Sequence, residues 1–131
     1  MHLSFTNTRG QAGLDAPPVI VEVHLSAGLP AFQVVGLGES RSREIRSPVR
    51  AALISSHLEW PDFNITVNLT PADRVTPSAR FDLPIAMGLL VASQQLPQDA
   101  IEGREFIGEL GLDGCLKPSR GALAAVLAAA R

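Results

Sequence analysis

The chain has 131 residues, 46% hydrophobic and 18% charged. It is long enough for one domain that buries roughly two-thirds of its unfolded surface, and too apolar for a disordered segment. A formal charge of -2 excludes a surface that is everywhere attractive to nucleic acid and leaves room only for a local basic patch. The start lacks a secretion signal and no stretch reaches the ~20 apolar residues of a bilayer span. The single Cys115 cannot form an internal disulfide. The expectation is therefore a cytoplasmic protein without membrane contact.

In chain order, "LSFTN" near the start reads as a short edge strand. "PPVIVEVHLS" (17–26) alternates Val19, Val21, Val23 and Leu25 with Ile20, Glu22, His24 and Ser26, the period-two pattern of a strand with one buried face. Gly28 and Pro30 punctuate it before "AFQVV" (31–35), so these two strands are expected to form a hairpin. From about residue 40 the period changes. Ile45, Val49, Ala52 and Leu53 share one helical face, and Arg43, Arg46 and Arg50 share another. Pro48 is either the first residue of this helix behind Ser47 or a kink within a longer one.

"NITVNLT" (64–70) reads as a strand with Ile65, Val67 and Leu69 inward. The loop "PADRVTPSAR" follows, and then a helix from near Asp82 to about Ser93 whose apolar side is Ile85, Met87, Leu89 and Leu90. Asp82 stands where a carboxylate caps free backbone N–H groups and meets the positive end of the helix dipole. Capping, worth about 1 kcal/mol, explains the acid without any catalytic role. "REFIGELGLDGCLKP" (104–118) reads as a hairpin with a type I′ turn at Asp113-Gly114, and "SRGALAAVLAAAR" as a helix. That helix has no stop signal, which points to truncation within a longer polypeptide, a natural short chain being the alternative.

Phosphate-binding motifs fail. "GLGESR" has Arg41 where the dinucleotide fingerprint requires a third glycine, and no G-x-x-x-x-G-K-[ST] loop exists. No nucleotide or other cofactor is expected in this segment. His2, His24, His57 and Cys115 are scattered rather than spaced as metal ligands, so no metal site is expected. Arg41, Arg43, Arg46 and Arg50 read either as a solvated helix face or as contacts for phosphates or a neighbour's carboxylates.

Taken together, "DAPPVIVEVHLSAGLPAFQVVGL", "VRAAL", "ITVNLTPAD", "RFDLPIAMGLLVAS" and "IGELGLDGCLKPSRGAL" resemble the N-terminal domain of the Mg-chelatase-like AAA+ ATPases, the ComM/YifB family of bacterial competence proteins. The resemblance implies an α/β (α+β) two-layer sandwich similar to the Lon protease domain and a ribosomal-protein domain, a mixed sheet of hairpins with helices packed on it. It also implies that the AAA+ module, which would bind ATP and Mg²⁺, lies outside this segment. Lon-type proteases carry a serine and a lysine at positions that match Asp82 and Leu123 here. A carboxylate and an alkyl chain cannot replace that pair.

Ser78 faintly echoes the protease serine, but its only lysine candidate is Lys117, the one lysine in the chain. No catalytic residue is therefore expected. The resemblance leads to a non-catalytic domain that contacts its own AAA+ module, neighbouring subunits of a hexameric ring, or DNA during branch migration in natural transformation. The residues expected at such contacts are Arg41, Arg43, Arg46 and Arg50, with Asp73, Arg74 and Arg80 on the following loop. A residual serine peptidase and a free-standing structural module are the alternatives.

Overall fold

The computed structural model describes residues 2–11, 15–71, 77–118 and 122–130. Strands β1 (His2–Arg9), β2 (Pro18–Ser26), β3 (Ala31–Val34) and β4 (Asn64–Thr70) form one mixed sheet in the order β1-β2-β4-β3. Helices α1 (Glu39–Ser55) and α2 (Asp82–Ala92) pack on one face of it. Strands β5 (Glu109–Leu110) and β6 (Leu116–Lys117) make a separate two-stranded ribbon, followed by helix α3 (Ala122–Ala129). The architecture is a two-layer α/β fold, as the family resemblance implies.

The alternating strands behave as their patterns dictate. Val19, Val21, Val23 and Leu25 of β2 and Ile65, Val67 and Leu69 of β4 are buried, paired across the antiparallel ladder as Val21 with Leu69, Val23 with Val67 and Leu25 with Ile65. Apolar cross-strand pairs on one face are the unit by which such a sheet is stabilised.

The expected hairpin of 17–26 with 31–35 does not form. Strand β4 inserts between β2 and β3, and β3 runs parallel to β4, with Phe32 opposite Ile65 and Val34 opposite Val67. Two parallel neighbours need a long crossover, and α1 supplies it. Gly28, with φ 136°, and Pro30 therefore mark a loop to the far edge of the sheet rather than a tight turn.

Strand β1 inverts the usual pattern. Ser4, Thr6 and Thr8 are buried, whereas Leu3 and Phe5 face outward. The reason is α2, which crosses this part of the sheet at Gly88. A Cβ there would lie 2.7 Å from Val23 Cγ2 and 3.2 Å from Ser4 Oγ. Ser4 Oγ donates to the Gly88 carbonyl at 2.7 Å. Only small side chains fit on β1 beneath so close a helix; Ser4 bonds to the helix backbone, whereas Thr6 Oγ1 and Thr8 Oγ1 are buried without a partner among the described residues.

The buried side of α2 comprises Ile85, Ala86, Gly88, Leu89 and Ala92, while Met87 and Leu90 are only half-buried. The apolar side expected for this helix therefore held two residues from its flanks. Pro48 lies inside α1, so the longer-helix reading applies. Its missing N–H leaves the Glu44 carbonyl without the usual i+4 donor.

The 104–118 segment does turn back on itself, but not through a type I′ turn. Of Asp113 and Gly114 only Gly114 has positive φ, at 89°. The Gly114 N–H donates to the Gly111 carbonyl at 3.0 Å and the Gly111 N–H to the Cys115 carbonyl at 2.8 Å, a three-residue loop with its glycine at the left-handed position. The loop docks on the end of α1. Ser55 Oγ donates to the Leu112 carbonyl at 2.9 Å, and a Cβ on Gly114 would lie 2.8 Å from Ser56 Oγ.

Candidate functional site: an acid-centred cleft

Where α1, α2 and the β5–β6 ribbon meet, a cleft of about 410 Å³ opens. Three bonds tie the ribbon to the start of α2. Leu83 N–H donates to the Gly108 carbonyl at 3.0 Å, Gly108 N–H to the Arg80 carbonyl at 3.1 Å, and Leu110 N–H to Asp82 Oδ2 at 3.1 Å. The last of these brings the Asp82 side chain to the cleft wall.

Asp82 is not a helix cap. Helix α2 is preceded by a 3-10 turn over Ala79–Phe81, Phe81 occupies the cap position, and no side-chain cap bond forms. Asp82 already has helical angles, φ -55° and ψ -50°. The extended conformation that lets a cap residue fold back onto the first turn is thus unavailable to it. Its carboxyl instead joins α2 to β5.

The residue is 1% exposed, and among the described residues Oδ1 has no hydrogen-bond partner. Burial raises its pKa to about 7; the nearby charge of Glu109 adds to the rise, while the Leu110 N–H and the Lys117 charge pull the other way.

Around Asp82 the cleft is lined by Arg41, Glu44 and Pro48 of α1, by Ser78, and by Glu109 and Lys117 of the ribbon, with Ile45, Leu110 and Leu112 as apolar walls. Thus Ser78 and Lys117 share one cleft although 39 positions apart in sequence. Among the described residues no hydrogen bond joins the hydroxyl to the amine. Leu123, expected opposite Asp82 at the position of a protease lysine, does not line the cleft. It lies on α3, 73% exposed. Helix α3 is directed elsewhere, with Ala125, Val126 and Ala129 beside Arg9 and Phe106.

The arginines expected to act together are divided by the helix. Arg41 borders the acid-centred cleft. Arg43 and Arg46 border a second groove of about 440 Å³ beside β3, together with Phe32, Gln33 and Ser42. Arg43 pairs with Glu39 at 3.4 Å on an exposed surface, and Arg50 is exposed. At 100° per residue Arg41 falls on the opposite flank of the buried stripe from Arg46, which is why one helix serves two grooves.

Arg80 is half-buried, donates from Nη1 to Gln11 Oε1 at 3.1 Å, and has its pKa lowered by burial. Asp73 and Arg74 lie outside the described residues.

Glu44 and Glu109 escaped the sequence reading. Neither belongs to a motif, and they line one cleft with Asp82 only because α1 and the ribbon both meet the start of α2. Among the described residues no three His, Cys, Asp or Glu side chains assemble as a metal site, and no helix is long and apolar enough to cross a membrane.

A two-layer domain with a carboxyl-centred cleft defines the class, and comparison with known sequences defines the family. The profile of the family "Subunit ChlI of Mg-chelatase" matches residues 21–131. The chain is 47% identical over 123 residues to the uncharacterized protein YifB of Escherichia coli (strain K12), covering 94% of this chain and 24% of that one. It is 45% identical over 129 residues to the competence protein ComM of Haemophilus influenzae, covering 98% of this chain and 25% of that one. A second YifB, from Salmonella typhimurium, is 45% identical over 131 residues.

This chain belongs to the ChlI/Mg-chelatase-like family that includes ComM and YifB. It spans about a quarter of the length of these relatives.

Proposed function

We propose that the chain is a non-catalytic assembly or contact module of a ComM/YifB-type AAA+ ATPase. In this reading ATP and Mg²⁺ are handled by a separate AAA+ module, this domain contacts that module and neighbouring subunits of a cytoplasmic ring, and the whole acts on DNA in branch migration during natural transformation. The observation that supports it is the chemistry of the cleft. Its buried central group is the Asp82 carboxyl, and among the described residues the Ser78 hydroxyl has no amine bonded to it that would make it a nucleophile.

The contact surface in this reading is the groove bearing Arg43 and Arg46, whose guanidinium groups suit phosphate or carboxylate partners. Reversing both charges to glutamate in the full-length protein is expected to weaken DNA binding, lowering its dependence on log salt by about two, or to impair ring formation. Anisotropy with labelled DNA and sedimentation velocity read the two effects. Unchanged behaviour in both, with thermal unfolding also unchanged, refutes the assignment.

A residual peptidase is the second reading, favoured by the presence of Ser78 and Lys117 in one cleft. It requires a fluorophosphonate probe to label Ser78 in the folded chain, and absence of labelling ends it.

A further inference from the structure

The cleft contains acceptors that the chain itself does not use. Asp82 Oδ1 is buried without a hydrogen-bond partner among the described residues. Glu44 and Glu109 add two more carboxylates. Against three carboxyl groups stand two cationic side chains, Arg41 and Lys117, and neither makes an ion pair with a described carboxylate. Ile45, Pro77, Leu110 and Leu112 supply apolar wall beside these acceptors.

A buried acceptor left unpaired costs the desolvation of the group, and a donor brought by a ligand recovers that loss. A metal ion would require several of these carboxylates to converge, and no such cluster of three is present among the described residues. An anion would face Glu44 and Glu109 and, once Asp82 ionises, an excess of carboxylates over the two cations. A donor-bearing organic cation on an alkyl stem satisfies both the acceptors and the wall.

We propose that the cleft between α1, α2 and the β5–β6 ribbon is a binding site for a guanidinium or alkylammonium group on an aliphatic stem. Its N–H groups bond Asp82 Oδ1 and Glu109, and the stem lies along Ile45, Leu110 and Leu112. The site is distinct from the groove of Arg43 and Arg46, so failure of the DNA test leaves it standing. Burial keeps the Asp82 carboxyl largely protonated below about pH 7 when the cleft is empty, and a bound cation favours its ionised form. The charged groups facing it are Arg41 and Glu44 from α1, Glu109 from β5 and Lys117 from β6. Affinity therefore rises as pH increases through neutrality, and binding releases a proton at the lower pH.

The test is an amide NMR titration of the chain with two cations, agmatine and a short peptide containing one arginine. The same peptide with citrulline, uncharged and nearly isosteric, is the control. Saturable shifts of the Leu110 and Glu109 amides with at least one cation and none with citrulline are expected. Asp82→Asn and Glu109→Gln should each weaken binding by roughly tenfold, the scale of one charge-assisted hydrogen bond. The wild-type affinity should be several-fold higher at about pH 8 than at about pH 6, as linkage to one proton requires.

Tighter binding of the peptide identifies a polypeptide source of the cation, and tighter binding of agmatine a free amine. No saturation by either cation, equal binding of citrulline, or an unchanged affinity in both variants overturns the proposal. If Asp82→Asn does not fold, Glu109→Gln and the pH series still decide it.

Discussion

Replacing Asp82 with asparagine tests the electrostatics of the cleft most directly. In the native state the carboxyl has its pKa raised from 3.8 to about 7, chiefly by burial. Below pH 3.8 both folded and unfolded chains carry the proton, and the contribution of this group to stability is fully present. Between 3.8 and about 7 the unfolded chain ionises while the native chain keeps its proton, so stability falls as pH rises. Above that window both states are ionised and the loss is complete.

At 1.36 kcal/mol per pKa unit, the shift corresponds to a loss of about 2–4 kcal/mol, the lower figure allowing for solvent screening in an open cleft. Asparagine keeps an oxygen to accept the Leu110 N–H and has no proton to lose. Urea unfolding followed by circular dichroism at about pH 4.5, 6 and 8 should show the variant gaining on the wild type by that amount across the series. Other titrating groups cancel in the difference. A wild-type-minus-variant difference that does not change with pH would refute the reasoning, because the carboxyl would then ionise as easily inside the protein as outside it.

Three further outcomes follow from particular contacts. Gly88→Val should cost about 2–4 kcal/mol in urea unfolding, because its Cβ alone would lie 2.7 Å from Val23 Cγ2 and the helix must lift off the sheet. Gly114→Ala should cost about 1–2 kcal/mol and raise amide hydrogen exchange in the β5–β6 ribbon, since that position combines φ 89° with a Cβ 2.8 Å from Ser56 Oγ. Pro48→Ala should stabilise the chain by about 1–3 kcal/mol and raise its melting temperature, as a donor for the Glu44 carbonyl returns to the middle of α1.

The candidate site was partly legible in advance. Asp82 attracts notice because an acid directly precedes an apolar helix, and Lys117 because it is the only lysine. Capping is the natural inference for an acid at that position, since a sequence does not reveal that a 3-10 turn precedes the helix or that a ribbon N–H will claim the carboxyl. Glu44 and Glu109 carry no signal of their own, being ordinary acids in an ordinary helix and a two-residue strand. Their significance depends on a cleft assembled from three elements distant in sequence.

By itself the sequence determined the inward faces of β2 and β4, a helix through Val49, Ala52 and Leu53, the helix beginning at Asp82 and the family of the chain. Alternation and helical spacing are local records of which side of each element avoids water. Only the tertiary structure decided that β3 lies beyond β4 rather than beside β2, and that the inward face of β1 is made of serine and threonine. It also decided that Asp82 lines a cleft with one oxygen unpaired among the described residues. Strand order follows from where a crossover helix can pack, and the polarity of β1 from how closely Gly88 lets α2 approach. The state of Asp82 follows from the water excluded when the β5–β6 ribbon closes over it. Each is a property of contacts between distant segments, and no single segment encodes it.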